Sequence, residues 1–360
     1  MNQRKNNLNL IIASVVIILG CSQAFASKVT IPLKQNKDGA IFFPVQYGSQ
    51  KCEVNVFPVF NQDCYNIISS SSHQTNLCGA QYIGVDSYTN QPNYSTEFQL
   101  GNVKANLLFV SPDNEQIEKR QLCFSYQQFK QDNVIVELFE DKLIQNQITY
   151  INLNSTTLQN VGDDMIVGSL EIGEPDASLI KQDYSFVELA VYTIPDKQFY
   201  SSYCRGAVYS GYPLGAHVYA HFNIDSPFTQ LPSESVNQIL KIFDQDNIKY
   251  RVIQVATSKH ADIVLSSVDK LQPLYIYLQR RYGKIYTITL QPYQLYRQLR
   301  SGEYQLLIQQ QSDDLNYIAF GNTIFDTYYL GFDFQNHSVQ IVEKAQKQKT
   351  SNFRGSQIMQ

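Results

Sequence analysis

The sequence predicts an all-β protein of two lobes with a few short helices. The 360 residues include 25 Tyr and 20 Phe but no Trp, and tyrosine, together with abundant Val, Ile and Thr, favours strands over helices. Short runs of alternating polar and apolar residues recur, as in residues 52–56, and this period of two is typical of half-buried strands. A chain of this length can bury a large core and commonly divides into two lobes.

Residues 1–26 have the features of a secretory signal peptide. Arg4 and Lys5 form a basic start, residues 8–21 are apolar, and Ala24-Phe25-Ala26 is a small-x-small cleavage site. The apolar run is shorter than the roughly 20 residues needed to span a bilayer. We therefore expect cleavage before Ser27 and a soluble protein without a membrane span, either secreted or held in a secretory or vacuolar lumen.

The first half of the chain is predicted to alternate strands with one helix. Residues 28–39 form a polar lead. Residues 88–95 are rich in Asn, Tyr, Thr and Ser, which predicts a loop. Residues 134–144 repeat apolar residues at helical spacing, which predicts a short amphipathic helix. The predicted strands of this half are residues 41–45, 52–56, 98–100, 103–110 and 148–153.

The second half follows the same pattern. Ser233 is predicted to cap a helix with the apolar stripe Val236, Ile239, Leu240 and Phe243. Residues 344–360 are polar and are predicted to form a disordered tail. The predicted strands of this half are residues 186–192, 206–209, 217–224, 274–278, 285–293 and 339–342.

Charge and histidine placement narrow the classes of ligand. The net charge of −4 argues against a nucleic-acid partner, because no basic stripe could neutralise phosphates. His217 and His221 are four residues apart on a predicted strand, where roughly 13 Å would separate them. That is too far to share one metal ion, so no metal or other cofactor is expected.

Cysteines and sequons fit an oxidising compartment. Five cysteines follow the predicted signal peptide, an odd number, so one of them is expected to be unpaired or to pair between chains. Asn93, Asn154 and Asn336 each begin an Asn-x-Ser/Thr sequon and are candidate glycosylation sites on surface loops. The five cysteines are Cys52, Cys64, Cys78, Cys123 and Cys204.

Residues 222–232 are the most informative stretch. A β-type run ends at Asp225, Ser226-Pro227 breaks the strand, and the predicted helix follows at Ser233. An acid at the end of a buried strand, with a hydroxyl beside it, is a candidate catalytic carboxylate. The alternative is an ordinary strand-end Asp that caps its own turn through its side chain.

Several segments resemble the pepsin-like aspartic proteases. The second active-site loop of that family reads Asp-Thr/Ser-Gly-Thr and continues to a Leu-Pro before a helix; Asp225-Ser226 and Thr229-Gln230-Leu231-Pro232 fit this, with Pro227 at the glycine. Residues 318–333 are similar to the family's Leu-Gly-Asp-x-Phe segment, with Asn322 at the Asp. The resemblance implies a bilobal double barrel with lobes at residues 27–176 and 177–343.

The family's first Asp-Thr-Gly has no clear counterpart. One register places that motif at Phe57-Pro58-Val59, and the other, counted back from residues 66–69, places it at Asn61-Gln62-Asp63. In the second register Asn61 replaces the acid. Asp63 could serve as the first acid only if the loop after it were shortened.

The resemblance also implies other site residues. The family's flap, a hairpin that covers the cleft, is assigned to residues 98–110, with Phe98 at the position of the flap tyrosine. Phe98, Ser226 and Thr229 would then contact substrate, and Cys64 and Cys78 would form the disulfide that often follows the first loop.

The missing first acid predicts a loss of catalysis. Paired aspartates share one proton because two like charges about 3 Å apart cannot both ionise, and a lone Asp225 lacks that partner. We therefore expect a monomeric, non-catalytic homologue that binds an extended peptide or protein segment between its lobes. The alternatives are an active aspartic endopeptidase that uses Asp63 and Asp225, and a structural secretory or surface protein.

Overall fold

The computed structural model describes residues 28–36, 40–60, 66–68, 77–85, 90–111, 120–124, 133–154, 165–190, 201–215, 218–224, 226–254, 261–311 and 317–345. Within these ranges the protein is all-β, with 24 strands, two α-helices and four 3-10 helices. None of the described helices is both long enough and apolar enough to cross a membrane.

The N-terminal lobe contains the first nine strands and one helix. The strands are β1 (Val29–Gln35), β2 (Ile41–Tyr47), β3 (Cys52–Val59), β4 (Gln81–Val85), β5 (Pro92–Leu100), β6 (Val103–Val110), β7 (Gln121–Cys123), β8 (Ile148–Leu153) and β9 (Met165–Ile172). The helix is α1 (Val134–Glu140), and the 3-10 helices lie at Leu77–Gly79 and, after β9, at Ala177–Leu179.

The C-terminal lobe contains the remaining strands, the longer helix α2 (Ser233–Gln245) and the 3-10 helices Pro292–Gln294 and Asn322–Asp326. Its first eight strands are β10 (Val187–Ala190), β11 (Ser201–Tyr209), β12 (Tyr212–Gly215), β13 (Val218–Phe222), β14 (Thr229–Leu231), β15 (Tyr250–Gln254), β16 (Ala261–Leu265) and β17 (Leu274–Gln279). The last seven are β18 (Ile285–Leu290), β19 (Tyr296–Gln298), β20 (Tyr304–Leu306), β21 (Ile308–Gln310), β22 (Tyr317–Phe320), β23 (Tyr328–Asp333) and β24 (Ser338–Glu343).

One sheet continues from one lobe into the other, and the same arrangement of strands occurs in each lobe. Its order is β10-β24-β23-β8-β9-β1 before it continues into the N-terminal lobe. Each lobe's first strand pairs with that lobe's last strand, β1 with β9 and β10 with β24. The central pair, β23 and β8, comes from different lobes and places Leu330 opposite Ile151. Backbone pairing therefore holds the lobes together.

The polar lead predicted for residues 28–39 is wrong for β1. Val29, Ile31 and Leu33 alternate with more exposed residues and are buried in the shared sheet. This alternation is the usual pattern of a strand with one face in the core. The tail predicted from residue 344 starts too early, since Lys344 N–H donates to the Thr327 carbonyl (2.8 Å) and Ala345 N–H to the Leu179 carbonyl (2.8 Å). Residues 346–360 lie outside the described ranges.

Both predicted helices are present with small differences. Asn133 caps α1, its side-chain oxygen accepting from the Ile135 N–H (2.8 Å). In α2 the buried stripe includes Val236, Ile239 and Phe243 as predicted, whereas Leu240 is only partly buried. Ser233 is the first helical residue and not the cap, because Pro232 holds that position without a side-chain cap bond.

Aromatic side chains fill the core where the lobes meet. Phe60, next to the first loop, lies 5.6 Å from Phe124 and 5.1 Å from Phe332 of β23, measured between ring centroids. From the other lobe, the ring of Phe222 stacks on Phe320 (5.2 Å) and meets Phe332 edge-on. Burying each such ring contributes roughly 1.5–3 kcal/mol, so the base of the two loops is firmly packed.

The predicted Cys64–Cys78 disulfide is wrong. Cys78 is bonded to Cys52 at the start of β3. The chain turns at Gly48, where a Cβ would stand 2.1 Å from the Cys78 carbonyl oxygen, and this close approach brings Cys52 to Cys78. Among the described cysteines Cys204 is free and buried, while Cys123 is also disulfide-bonded.

Candidate functional site

The candidate site consists of two loops, one after β3 and one after β13. Each of these strands runs parallel to a later strand of its own lobe: β3 to β7, and β13 to β22. Asp225, Asn61 and Asp63 lie outside the described residues. The residues on either side of them are described and define how each loop is held.

Backbone contacts hold the C-terminal loop from both sides. Asn223 N–H donates to the Phe320 carbonyl (2.8 Å), and Asn322 N–H donates to the Ser226 carbonyl (2.7 Å). Ser226 Oγ accepts from Phe228 N–H (3.1 Å), which makes a local turn. The described residues on both sides of Asp225 are therefore anchored by hydrogen bonds of the backbone and of Ser226.

Thr229 has a structural role and not the substrate contact predicted for it. Its side chain is buried, and its Oγ1 accepts a hydrogen bond from Gly321 N–H (3.3 Å). The absence of a side chain at Gly321 permits this packing, since a Cβ there would stand 2.6 Å from the carbonyl carbon of Phe228. Ser226 is only partly buried, and its predicted contact with substrate remains a prediction.

The N-terminal loop has an equivalent set of anchors. Ile67 and Gln121 exchange two backbone hydrogen bonds of 2.8 and 2.9 Å. Asn66 Oδ1 accepts from Cys123 N–H (2.8 Å), and Asn66 Nδ2 donates to the Leu108 carbonyl (2.9 Å). Asn66 thus occupies in this lobe the place that Thr229 occupies in the other.

The pairing of strands relates the two loops residue by residue. Gln121 pairs with Phe57 in parallel and with Ile67 in antiparallel. Ala319 pairs in the same two ways with His221 and Gln230. Phe57 therefore corresponds to His221, so the register that placed the first motif at Phe57-Pro58-Val59 is wrong: those residues belong to β3.

Corresponding positions differ in chemistry between the two lobes. Cys123, in a disulfide, corresponds to Gly321. Phe124 corresponds to Asn322, whose side chain is buried with neither amide atom hydrogen-bonded to another described residue. The residues beside the N-terminal loop thus include a cystine and an aromatic ring, whereas those beside the C-terminal loop include a glycine and a buried amide.

The flap assignment of Phe98 is wrong. Its side chain is 0% exposed and its ring stacks on Tyr47 at 5.5 Å in the lobe core. The turn of the β5–β6 hairpin lies against β1, since a Cβ on Gly101 would stand 2.4 Å from the Thr30 carbonyl oxygen. The β4–β5 hairpin is the exposed one, with Tyr82 55% and Val85 58% exposed on β4.

Tyr82 is a candidate site residue that sequence reasoning missed. Its ring meets Tyr94 of β5 edge-on at 5.6 Å, and β4 pairs only with β5, which leaves its other edge open among the described strands. The hairpin was missed because the polar composition of residues 88–95 predicted a loop, whereas residues 92–95 belong to β5.

The three candidate glycosylation sites differ in setting. Asn93 lies inside β5, opposite Gly84 and Val110, with its side-chain oxygen buried. The predicted surface loop is therefore wrong at this position. Asn154, which follows β8, and Asn336, in the turn between β23 and β24, are both exposed, and glycosylation at these positions remains a prediction.

The structure is similar to that of an aspartic proteinase from Irpex lacteus. The TM-score is 0.67 with 12% sequence identity, over 90% of this chain and 100% of that chain. At this identity the likeness shows the fold, and the predicted all-β, bilobal, pepsin-like architecture is confirmed. The sequence matches no family model and no curated protein.

Proposed function

We propose that this chain is a secreted, non-catalytic homologue of the pepsin-like aspartic proteases that binds an extended peptide or partner segment between its lobes. The observation that carries this proposal is the shared pairing of Gln121 and Ala319 with their neighbouring strands. It provides a common register in which the residues of the two loops can be counted from described positions.

Counting from these anchors supports Asn61 as the counterpart of Asp225. Asp225 is four residues after His221, and Asn61 is four residues after Phe57. Counted back from Gln230 and Ile67, the counterpart is Gln62. Neither Asn61 nor Gln62 can ionise. Asp63 is two residues beyond the forward match and one beyond the backward match, so it is not favoured as the first acid.

A single carboxylate cannot perform the family's chemistry. Hydrolysis of a peptide by this mechanism needs one carboxylate to accept a proton from water and one carboxylic acid to donate a proton to the substrate. Each such role contributes about a hundred- to ten-thousandfold in rate. An amide at the first position supplies neither role, and it also removes the charge repulsion that raises the pKa of one acid in such a pair.

Peptide binding can persist without the acids. The anchors around Asp225 and around Asn66 are backbone and amide contacts that do not depend on a carboxylate. The open edge of β4 carries the exposed residues Tyr82, Ile83 and Val85. An extended segment can add its backbone to such an edge and place alternate side chains against these residues.

The catalytic part of the proposal is tested with denatured casein between about pH 3 and pH 6, where one acid of an aspartate pair holds a proton. We expect no pepstatin-sensitive cleavage by the wild type. The variants Asp225→Ala and Asp63→Ala should then give the same baseline as Asp183→Asn, a control acid in an exposed turn. Pepstatin-sensitive cleavage lost in both Asp225→Ala and Asp63→Ala would establish the active endopeptidase instead.

The binding part is tested by hydrogen–deuterium exchange with a tryptic digest of casein as the probe. We expect slower exchange in residues 81–85 when the peptides are added, and a smaller effect in Tyr82→Ala. The matched control is Tyr282→Ala, which alters an exposed tyrosine in a turn of the other lobe. Unchanged exchange in residues 81–85 and in the described residues beside the two loops, 66–68 and 226–231, would favour the structural, scaffold-only reading.

A further inference from the structure

Arg297 lies beside the segment through which the chain leaves the C-terminal loop. It is the middle residue of β19, and its side chain is partly exposed. Leu307 joins the two segments, because Thr229 N–H donates to the Leu307 carbonyl (2.9 Å) and Leu307 N–H donates to the Leu295 carbonyl (2.7 Å). β19 is therefore fixed next to the described residues 226–229.

Two contacts from different elements hold the guanidinium of Arg297. Its Nε donates to Oε1 of Gln305 (2.6 Å), the residue directly opposite on β20. Gln305 is 4% exposed, so this acceptor is held inside the fold. The guanidinium carbon also lies 5.8 Å from the centre of the Phe228 ring, which is within cation–π distance. The guanidinium is therefore directed at the partly exposed ring of Phe228.

Most of the donors of Arg297 remain available to a ligand. A guanidinium carries five N–H groups in a planar fork, and among the described residues only the group on Nε has an acceptor. No carboxylate of the described part of the chain pairs with Arg297. By contrast, Arg251 pairs with Glu303 (2.6 Å) and Arg281 with Glu188 (3.2 Å). Arg297 is thus a positioned cation without an acidic partner of its own.

We infer that Arg297 selects an acidic side chain in the segment that binds between the lobes. A segment that passes residues 226–228 carries its side chains past the Phe228 ring, where an Asp or Glu can accept two hydrogen bonds from the fork of Arg297. A guanidinium is weakly hydrated compared with an ammonium, so it loses less hydration when it pairs. The net charge of −4 does not favour acidic peptides, so the selection is local. The inference rests on the proposed peptide binding and adds the chemistry of one position in the partner.

Peptide capture tests the selection, with the whole protein immobilised and a tryptic digest of dephosphorylated casein as the probe at pH 7. Removal of the phosphates leaves carboxylates as the side-chain anions of the digest. Retained and unretained peptides are measured by mass spectrometry and compared by their content of Asp and Glu. We expect acidic peptides to be enriched on the wild type and to bind Arg297→Gln about tenfold more weakly, within the range for one hydrogen bond to a charged group. Peptides without Asp or Glu should bind both proteins equally.

Arg251→Gln is the matched control. Arg251, Val264, Gln305 and Arg297 are directly opposite one another across the four strands β15, β16, β20 and β19, so both arginines lie on one face of the same sheet. Because Arg251 is already paired with Glu303, its replacement should leave the enrichment unchanged. Arg297→Lys keeps the charge without the fork and should retain part of the enrichment.

The pH dependence distinguishes selection from packing. The carboxyl groups of Asp and Glu have ordinary pKa values of about 4, so they are mostly protonated at about pH 3. The difference between the wild type and Arg297→Gln should therefore disappear between pH 7 and about pH 3. A difference that persists at the lower pH would show that Arg297 only packs against Phe228, and would overturn the inference.

The remaining outcomes separate this inference from the proposal on which it rests. Retained peptides without acidic enrichment, or enrichment that persists in Arg297→Gln, would overturn the selection and leave peptide binding standing. An equal loss of acidic and neutral peptides in Arg297→Gln, or the same loss of enrichment in Arg251→Gln, would also overturn it. Retention of no peptide by the wild type would overturn peptide binding itself, and the selection with it.

Discussion

Tyr329 donates a hydrogen bond to the buried carboxylate of Glu171, and this contact joins β23 of the C-terminal lobe to β9 of the N-terminal lobe. Lys28 Nζ lies 3.0 Å from the same carboxylate, and Asp176 N–H donates to it at 3.0 Å. Burial, followed by the hydrogen bond to Glu171, raises the pKa of Tyr329. The Tyr329 phenol therefore stays protonated, and remains a hydrogen-bond donor, at neutral pH.

Replacing Tyr329 by phenylalanine should destabilise the protein. The substitution removes a hydrogen bond to a buried charged group, and such bonds contribute about 1.5–3 kcal/mol. We expect a loss of this size in the free energy of unfolding, measured by urea denaturation. Tyr282 is 85% exposed, so Tyr282→Phe should change the free energy of unfolding by less than about 0.5 kcal/mol. Equal values for the two variants would contradict a role for this contact in joining the lobes.

Ser178→Ala should raise the pKa of Asp176. The hydrogen bond from the Ser178 hydroxyl is the largest cause that holds this pKa below its ordinary value of 3.8, and Lys28 contributes further. Because the pKa of Asp176 is lower in the folded than in the unfolded protein, its ionisation stabilises the fold at any pH above the unfolded-state pKa. This stabilisation is lost as the pH falls through the folded-state pKa. The change is read by NMR titration of the carboxyl carbon. Ser267→Ala, which removes a similar hydroxyl beside Asp269, should leave Asp176 unchanged.

Phe98 should contribute to stability and Tyr82 to peptide binding, although the sequence predicts the substrate contact for Phe98. Phe98→Ala empties a fully buried site and should cost about 3–5 kcal/mol of unfolding free energy. Tyr82→Ala removes a half-exposed ring and should cost far less, while it weakens binding of the casein peptides. Thermal unfolding and the exchange experiment on residues 81–85 separate the two effects. Weaker peptide binding in Phe98→Ala at unchanged stability would restore the original flap assignment.

Local patterns predicted most of the fold. The strands at residues 41–45 and 103–110 and the helix α2 follow from periods of two and 3.6 residues, and these segments appear in the structure. β1 was missed because it contains Lys34 and Gln35 and is flanked by polar residues, although Val29, Ile31 and Leu33 alternate on its buried face. Composition and periodicity disagreed at β1, and periodicity was the better guide.

The register of the first loop and the pairing of its neighbouring cysteines depend on contacts between residues that are distant in sequence. Two registers for the first loop were open until Gln121 was seen to pair with both Phe57 and Ile67, and Gln121 is more than fifty residues further along the chain. The partner of Cys78 was equally inaccessible, because the spacing of cysteines does not determine their connectivity. The resemblance implied Cys64, whereas the turn at Gly48 brings Cys52 to that position.

Cys204 should resist alkylation in the folded protein. Burial raises the pKa of its thiol to about 11, so little thiolate forms at pH 8, and the closed core excludes reagent. We expect reaction with Ellman's reagent only after unfolding. The pKa of Cys204 is higher in the folded than in the unfolded protein. Its contribution to stability is therefore fully present below the unfolded-state pKa and is lost as the pH rises through the folded-state pKa. Rapid labelling at pH 8 without loss of structure would show that the thiol is accessible.

Restoring an acid at position 61 should not restore peptidase activity. In Asn61→Asp the carboxylate would still lack the glycine N–H that the resemblance implies beside the acids, because Pro227 stands at that position and has no N–H to offer. We therefore expect casein to remain intact between about pH 3 and pH 6. The control is Asn61→Ser, which should match Asn61→Asp in unfolding midpoint and in the absence of cleavage. Pepstatin-sensitive turnover by Asn61→Asp would support the alignment of Asn61 with Asp225 and would contradict the role given to Pro227.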